Sequence, residues 1–363
     1  MKAMVVRELG AGWVEEDVTL ADPVGNEVLV ELKASGLCGS DLMEMKNEVN
    51  YPPPAVLGHE IAGVVTKIGP NVTTFEVGDH VAGCLVQFCG KCETCLSGEV
   101  GLCRNPGDTV RGEGETPRIT DANGQALTQG MALGGFAQEA LVHENMLVKL
   151  PDEMPFPQAA VLGCGVVTGT GAVLNAAKVQ RGEAVAIIGA GGVGLNAISG
   201  AVLAGASKII VIDLNDETLE TAKSFGATHV INSGNTDPVA AVKELTDGYG
   251  VKYAFDIVGI GATARQGYDM LDRGGTLYQI GMSGNTFELA SLPNIFDRKA
   301  VQGVFMGSGV PKRDIATLAD LYLNGRLNLD DLVSEEISLS DINAGYERLK
   351  DPKVNRVVIT DFS

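Results

Sequence analysis

The sequence has little positive charge. It contains 27 lysine and arginine residues against 46 aspartate and glutamate residues, which leaves a net charge of −19. A surface this acidic repels nucleic-acid phosphates and anionic lipid, so we expect neither a nucleic-acid partner nor a membrane partner. The charge is better explained by solubility than by a role in binding a partner.

Long apolar segments and targeting signals are missing as well. No stretch reaches the roughly 20 apolar residues of a membrane span, and Met1–Glu8 lacks the apolar core and cleavage site of a signal peptide. We therefore expect a cytoplasmic protein. Internal repeats and low-complexity linkers are not found either. The length of 363 residues, 45% of them hydrophobic, predicts two folded domains.

Two patterns divide the chain. Residues 1–100 carry short apolar runs such as Glu27–Leu32 and Ile61–Ile68, broken by glycine and proline, which predict a β-barrel-like domain. Residues 104–130 are polar and glycine-rich, and we expect a long surface lobe there. After Pro157 strands and helices alternate, which predicts a doubly wound parallel sheet and hence an α/β protein.

The alternating part and the end of the chain predict particular elements. The strands are expected at Ala184–Ile188, Lys208–Ile212, His229–Ile231, Tyr253–Val258, Gly275–Ile280 and Arg356–Thr360. The helices are expected after Cys164 and at Gly194–Ala204, Glu217–Phe225, Val239–Leu245, Ala262–Leu271 and Asp314–Asn324.

A nucleotide-binding motif follows the first strand of the parallel sheet. Gly189-Ala190-Gly191-Gly192-Val193-Gly194 matches G-x-G-x-x-G between a strand and a helix, where glycines permit a tight turn and close approach of the backbone to a pyrophosphate. Asp213 ends the next strand, where a carboxylate accepts the ribose hydroxyls of NAD and repels the extra phosphate of NADP. Since Leu214 and not arginine follows, the pattern favours NAD. The alternative is a Rossmann-like domain that has lost its cofactor.

Four of the seven cysteines lie close together in the sequence. Cys89, Cys92, Cys95 and Cys103 have the spacing C-x2-C-x2-C-x7-C, and four thiolates in so short a segment can surround one tetrahedral zinc. No coordination position stays open, so this zinc is predicted to be structural. The alternatives are unliganded or disulfide-paired thiols and an iron–sulfur cluster.

Cys38, His59 and Cys164 form a second, dispersed set of candidate ligands. Their spacing alone is weak evidence of a site. Two thiolates and one imidazole leave a fourth position open on zinc, which is the catalytic arrangement. Cys84 is left over, and we expect it to be a buried, inert thiol.

Taken together, these motifs resemble those of the zinc-containing medium-chain alcohol dehydrogenases, over essentially the whole chain. The likeness lies in Gly58-His59-Glu60, the four-cysteine run, Leu162-Gly163-Cys164-Gly165 and the glycine fingerprint. The lobe after Cys103 resembles the subgroup of liver-type and thiol-linked formaldehyde dehydrogenases. The resemblance implies a GroES-like β-barrel catalytic domain over residues 1–165, a Rossmann coenzyme domain over 166–303, and a return of 304–363 to the first domain.

The resemblance also implies a role for each residue of the dispersed set. Cys38, His59 and Cys164 would bind a catalytic zinc, with Glu60 close behind the metal. Asp41 would orient His59.

Other residues are implied to contact substrate and coenzyme. Ser40 would accept the alcohol proton, and Arg356 would contact the coenzyme pyrophosphate. Further coenzyme contacts are implied for Gly189, Gly191, Gly192, Val193, Gly194, Asp213, Thr168 and Ile280. The substrate wall would include Leu85, Met131, Met282, Phe305 and Met306, for each of which ordinary core packing is the alternative.

Three positions depart from the family pattern. Gly39 stands where many relatives carry a basic residue that holds pyrophosphate. Met43 stands where many carry a histidine at the outer end of a proton relay, so the proton has to leave through Ser40, a ribose hydroxyl and water, or through another group. A lysine that often contacts the adenosine ribose is replaced near Thr218.

The predicted function is oxidation of a primary alcohol to an aldehyde, and the reverse, with two zinc ions per chain and hydride transfer to NAD. The alternatives are a dehydrogenase for a formaldehyde–thiol adduct of mycothiol or glutathione, a non-catalytic zinc and nucleotide binder, and an enzyme that keeps its NADH bound. We expect a small alcohol or aldehyde as partner and a homodimer, with a tetramer as the alternative.

Overall fold

A computed structural model of the protein describes residues 1–47, 50–289 and 291–363. Within them the chain divides into two compact units, Met1–Cys164 with Val310–Ser363, and Gly165–Gly309. The second unit therefore ends at Gly309 and not at the expected residue 303. The turn Met306–Ser308 belongs to it because Gly307 packs against Gly171, so closely that a Cβ on either would strike the other's backbone.

The strands are numbered in chain order through both units. They are β1 (Lys2–Val6), β2 (Val14–Leu20), β3 (Glu27–Gly36), β4 (Ala55–Val56), β5 (Glu60–Ile68), β6 (His80–Gly83), β7 (Ile119–Asp121), β8 (Thr128–Gln129), β9 (Glu139–His143), β10 (Leu147–Lys149), β11 (Ala184–Ile188), β12 (Lys208–Asp213), β13 (His229–Asn232), β14 (Val251–Asp256), β15 (Leu271–Gln279), β16 (Ala300–Gly303), β17 (Glu335–Ser338) and β18 (Val357–Asp361).

The α-helices are numbered in the same way. They are α1 (Gly39–Asn47), α2 (Glu93–Leu96), α3 (Phe156–Val161), α4 (Val167–Gly171), α5 (Gly192–Ala204), α6 (Asp216–Ser224), α7 (Pro238–Leu245), α8 (Gly261–Asp269), α9 (Ser291–Asp297), α10 (Pro311–Leu323) and α11 (Ile342–Arg348).

The first unit is built on two sheets. Among the described residues, one sheet has the order β7-β2-β1-β4-β8, and the other has the order β10-β6-β5-β3-β18-β17 with β9 also paired to β3. The long strand β3 pairs antiparallel with β5, β9 and β18, and nearly all its side chains are buried. The predicted β-barrel class is confirmed. Cys38 follows the end of β3 and His59 precedes the start of β5, so these strands position two residues of the dispersed site.

The segment 104–130 is part of the barrel sheet and not only a surface lobe. Its strand β7 pairs antiparallel with β2, and its strand β8 pairs parallel with β4. Arg111 and Arg118 both bond the buried carboxylate of Glu27, at 2.6 and 2.7 Å. These two ion pairs with Glu27 attach the segment to β3, and its polar composition does not reveal them.

The second unit carries the predicted doubly wound sheet. Its six described strands have the order β13-β12-β11-β14-β15-β16, and all neighbours are parallel. The strands β11 and β12 are almost wholly buried, as expected for a sheet covered by crossover helices on both faces. The order reverses between β11 and β14, and ligands of such sheets bind beyond the carboxyl ends of the strands at this point.

Capping residues explain where the crossover helices begin and end. The side chain of Asn215 accepts hydrogen bonds from the first turn of α6, and that of Asp237 does the same for α7. Gly205 ends α5 in the left-handed conformation, with φ 77°. Several predicted bounds shift by a few residues, and the strand β16 was missed because its four residues are half-buried or exposed.

The helical segment around Cys164 begins earlier than predicted. It runs from Phe156 to Ala176, and with 21 apolar-rich residues it is long enough to cross a membrane, contrary to the expectation of no such stretch. Its most apolar window is 83% buried inside the protein, which is the environment of a core helix. This length and composition are therefore explained by packing.

Candidate functional site

The four clustered cysteines lie together in the first unit. Their sulfur atoms fall within 4.8 Å of one another, and the separation is 3.5 Å for Cys92–Cys95, 3.9 Å for Cys92–Cys103 and 4.0 Å for Cys89–Cys95. Zn–S bonds of about 2.3 Å in a tetrahedron separate the sulfurs by roughly 3.8 Å. The four thiols thus fit a zinc ion, and all four are half-buried.

Local hydrogen bonds support thiolates in this cluster. The backbone N–H groups of Cys89 and Asn105 donate to the sulfur of Cys103, at 3.2 and 3.3 Å. A hydrogen bond with Thr94 lowers the pKa of Cys92 to about 5. Donors aimed at sulfur favour the charged form, which is the form that binds metal.

The dispersed set also comes together, and Glu60 lies with it. The sulfur atoms of Cys38 and Cys164, a ring nitrogen of His59 and a carboxylate oxygen of Glu60 lie within 4.8 Å of one another, and all four residues are buried. Nε2 of His59 lies 3.2 Å from Sγ of Cys164. Two thiols and one imidazole suit zinc and leave a fourth position open, with the Glu60 carboxyl beside them.

Three chain segments supply these ligands. Cys38 stands between β3 and α1, His59 precedes β5, and Cys164 lies in the π-helical turn Leu162–Val166. Gly163 is required beside this last ligand, because a Cβ there would overlap the carbonyl oxygen of Gly83. The site therefore exists only once the barrel has formed.

Asp41 connects two of these segments. Its Oδ2 lies 2.9 Å from Nδ1 of His59, and its Oδ1 accepts a hydrogen bond from the backbone N–H of Gly58 at 2.9 Å. Both side chains are fully buried. A carboxylate at Nδ1 leaves Nε2 free for a metal.

Glu60 is a buried carboxyl held beside an arginine. Nη2 of Arg356 forms an ion pair with its Oε1 at 2.9 Å, whereas Oε2 has no hydrogen-bond partner among the described residues. Burial raises the pKa of Glu60 to about 7, although the positive charge of Arg356 opposes this. The predicted pyrophosphate-binding residue thus lies in the first unit, at the back of the cysteine–histidine cluster.

Ser40, Gly39 and Met43 lie on the same helix, α1. The hydroxyl of Ser40 lies 3.8 Å from Sγ of Cys38. A Cβ at Gly39 would meet no heavy atom of the described residues within 4 Å, so they leave space for the missing basic side chain. Met43 is half-buried in the middle of the helix. Cys84 is buried as expected, and burial raises the pKa of its thiol to about 12.

The glycine fingerprint forms the predicted turn in the second unit. Gly189 has φ 92°, which favours glycine, and Gly191 caps α5. A Cβ at Gly194 would overlap the carbonyl oxygen of Gly189. Asp213 ends β12, and its Oδ2 accepts a hydrogen bond from the backbone N–H of Ala190 at 2.9 Å. The glycine turn and the carboxylate of Asp213 are thus adjacent. Gly192 and Val193 lie in the first turn of α5.

The remaining predicted contacts are divided between the two units. In the second unit the hydroxyl of Thr168 lies 3.5 Å from the sulfur of Met306, and both residues are buried. Ile280 follows β15 at the carboxyl edge of the sheet. Met282 and Phe305 are exposed there, whereas Leu85 and Met131 are half-buried in the first unit.

Sequence reasoning missed Asp256, at the end of β14. Its Oδ1 accepts hydrogen bonds from the backbone N–H groups of Val258 and Gly259, at 3.1 and 3.0 Å, and its carbonyl accepts those of Ile280 and Gly281. It therefore fixes two turns at the carboxyl edge, next to the reversal point. The sequence signal that could have identified Asp256 is its position as an acidic residue at the end of an apolar strand.

The comparisons with known families cover both units. Residues 25–152 match the family described as "Alcohol dehydrogenase GroES-like domain", and residues 192–324 match the family described as "Zinc-binding dehydrogenase". The first range contains Cys38, His59 and the four-cysteine cluster.

Curated relatives match nearly the whole chain. Alcohol dehydrogenase B of Mycobacterium tuberculosis is 36% identical over 99% of this chain and 97% of the relative. NDMA-dependent alcohol dehydrogenase of Amycolatopsis methanolica is 34% identical, with 99% and 98% covered. S-(hydroxymethyl)glutathione dehydrogenase of Paracoccus denitrificans is 33% identical, with 95% and 96% covered.

Solved structures give the same result. Benzyl alcohol dehydrogenase from Acinetobacter calcoaceticus superposes with a TM-score of 0.92 at 36% identity, over 99% of each chain. An alcohol dehydrogenase zinc-binding domain protein from Burkholderia ambifaria superposes with a TM-score of 0.94, also at 36% identity, over 100% of this chain and 99% of the other.

Proposed function

Because the chain belongs to the zinc-containing medium-chain alcohol dehydrogenases, we propose that it oxidises a primary alcohol to the aldehyde, and catalyses the reverse, with NAD as the hydride acceptor. The observation that carries this proposal is the buried cluster of Cys38, His59, Glu60 and Cys164. Zinc held there supplies Lewis acidity at the carbon–oxygen centre of the substrate, and NAD carries the hydride.

The residues of the chain hold and tune this chemistry. Asp41 keeps His59 in the tautomer that presents Nε2 to the metal. Ser40, close to Cys38, is the hydroxyl proposed to receive the proton of the alcohol. Burial excludes water from the ligands, and Arg356 places one positive charge behind them.

NAD is proposed over NADP on the strength of Asp213. Its carboxylate is positioned by Ala190 of the glycine turn and by the N–H of Asn215, and no arginine follows it. Activity measured with both coenzymes tests this: kcat/KM should be far higher with NAD, and Asp213→Ala should reduce the preference. An equal kcat/KM with NADP would contradict it.

The second candidate is oxidation of a formaldehyde–thiol adduct. It is favoured by the similarity to S-(hydroxymethyl)glutathione dehydrogenase. Arg111 and Arg118 would be natural partners for the carboxylates of such an adduct, but both are already occupied by Glu27. We therefore place simple alcohols first, with benzyl alcohol and geraniol as test substrates.

One set of rates separates the two candidates. The purified protein is assayed for NADH formation with benzyl alcohol, with geraniol, and with formaldehyde plus mycothiol or glutathione. We expect turnover with an alcohol alone. Activity only with a thiol adduct would overturn the preference, and no activity with any substrate would favour a non-catalytic binder.

Bound coenzyme and assembly are tested on the same sample. The similarity to an NDMA-dependent enzyme raises the alternative of retained NADH, and coenzyme released on denaturation would establish it. We further propose a cytoplasmic homodimer, because β16 ends the sheet as an edge strand with exposed residues. Light scattering in solution should give twice the mass of the chain, and a monomer would contradict the proposal.

A further inference from the structure

Tyr346 of α11 reaches the main chain of a proposed zinc ligand. Its hydroxyl donates a hydrogen bond of 3.2 Å to the carbonyl oxygen of Cys38, and both residues are buried. That carbonyl stands at the start of α1, where the intrahelical N–H of Leu42 lies farther away, at 3.4 Å. Of the two described hydrogen bonds to this carbonyl, the one from the tyrosine hydroxyl is therefore the shorter.

The ring of Tyr346 is itself held in place. It stacks on Trp13, with 4.5 Å between ring centroids and 5° between planes. Phe136 packs edge-on against both rings, at 6.2 and 6.5 Å. Aromatic pairs in these geometries have defined orientations, so the phenol oxygen has little freedom to move away from Cys38.

Trp13, in turn, is attached to the helix that carries the tyrosine. The side-chain amide of Asn343 accepts from the backbone N–H of Trp13 at 3.1 Å and donates to its carbonyl at 2.9 Å. Gly12, with φ 88°, has no room for a Cβ beside that amide. The loop before β2, helix α11 and the Cys38 segment thus form one packed assembly.

We propose that Tyr346 is a positioning residue for the catalytic zinc, which fixes the Cys38 main chain and slows loss of the metal. Trp13, the single tryptophan of the chain, holds the ring that does this. The inference rests on the proposed function, because it requires zinc at Cys38, His59 and Cys164. Groups that orient metal ligands typically change metal affinity by about 10- to 100-fold.

The test compares Tyr346→Phe with wild type. The variant removes one oxygen and keeps the stack on Trp13. Tyr322→Phe is the matched control, because the hydroxyl of Tyr322 donates to Asp330 at 2.8 Å in the same unit. Zinc release to a chelator is followed with a metal-sensitive dye, and kcat, KM and melting temperature are measured in parallel.

We expect two phases of zinc release in wild type and in Tyr322→Phe. In Tyr346→Phe one phase should be about tenfold faster, with the other phase unchanged. Unchanged kinetics in Tyr346→Phe, or the same change in Tyr322→Phe, would overturn the positioning role. Zinc bound by the four-cysteine cluster alone in the wild-type protein would instead overturn the proposed catalytic centre, so the two failures are distinguishable.

A second measurement does not depend on the folding of the Tyr346 variant. In wild type, tryptophan emission reports on Trp13 alone, so it should change in the phase in which zinc leaves the Cys38 centre. A constant emission through both phases would contradict the mechanical link.

Discussion

The two cysteine centres of the first unit use similar ligands in opposite arrangements. The ligands of the four-cysteine cluster come from one short segment and are half-buried, and backbone N–H groups donate hydrogen bonds to their sulfur atoms. The ligands of the Cys38 centre come from three segments, are buried, and are backed by Asp41, Glu60 and Arg356. The first centre can form from local chain, whereas the second has to be assembled by the fold.

This difference explains what each centre can do. A closed set of four thiolates leaves no position for substrate and stabilises local structure. The dispersed centre places charged groups behind the metal, and such groups are costly to bury unless a folded protein holds them in pairs. A substitution in the surroundings of one centre should therefore leave the other centre unchanged.

The largest effect is expected from Glu27→Gln, which acts on the support of the four-cysteine segment. Glu27 bonds Arg118, which donates to the carbonyl of Thr109, and Thr109 is held by Gln87, just before Cys89. Removing the charge takes the carboxylate partner from the buried Arg118 and the half-buried Arg111, which costs about 3 kcal/mol of unfolding free energy. Urea unfolding measures this, and zinc at the Cys38 centre should stay.

Strand β3 also offers a control for Glu27→Gln, and the pKa of Glu27 predicts how its contribution to stability depends on pH. Glu31→Gln removes an exposed partner of Lys33, and the change should stay below about 1 kcal/mol. Burial opposes ionisation of Glu27, yet hydrogen bonds from Arg111 and Arg118 lower its pKa. Its contribution is therefore complete above about pH 4.3, the unfolded value, and is lost as the pH falls through the folded pKa. An equal loss of unfolding free energy in Glu27→Gln and Glu31→Gln would show that Glu27 does not support the four-cysteine segment.

A smaller effect is expected from Asp41→Ala, which acts on the Cys38 centre. His59 loses the carboxylate at Nδ1 and Gly58 loses its acceptor, so zinc affinity and alcohol turnover should fall by about 10- to 100-fold. Metal analysis should show loss from this centre alone. Asp121→Ala, which removes another buried carboxylate of this unit, should leave turnover unchanged. If turnover fell equally in Asp121→Ala, Asp41 would act only through the stability of the fold.

How far the sequence predicts the molecule also differs between the centres. The spacing of the four cysteines suffices to predict their cluster, because ligand geometry is contained in the spacing. The Cys38 set needed a family resemblance, because its residues meet only through the pairing of β3 with β5 and the helical turn at Cys164. The parallel sheet was predicted correctly from alternating patterns, since apolar runs such as β11 leave little ambiguity.

Other features could not be predicted because they arise from tertiary packing. The contacts of Trp13 are an example, because its partners Tyr346 and Asn343 lie at the other end of the chain. The ion pairs of Arg111 and Arg118 with Glu27 could not be predicted, because composition does not reveal which distant residues meet in the fold. Strand β16 lacks the buried, alternating residues that identify a strand.

The smallest effect is expected from two glycine variants that flank Cys38. A Cβ in Gly36→Ala would overlap the carboxylate of Glu60, whereas one in Gly39→Ala meets no atom within 4 Å. Overpacking should cost Gly36→Ala about 1–2 kcal/mol together with zinc from the Cys38 centre. Gly39→Ala, on a helix, should change stability by less than about 1 kcal/mol. Equal stability and metal content in both variants would show that Glu60 is free to move.

The most direct test of a catalytic Cys38 centre and a structural four-cysteine centre uses the variants Cys38→Ser and Cys92→Ser. Zinc content and alcohol-dependent NADH formation are measured in both. Each variant should lose one zinc and keep the other. Cys38→Ser should have no measurable turnover, whereas Cys92→Ser should still oxidise alcohol and should unfold at a lower temperature. Turnover retained by Cys38→Ser, or abolished in a folded Cys92→Ser that keeps its zinc at the Cys38 centre, would contradict the account.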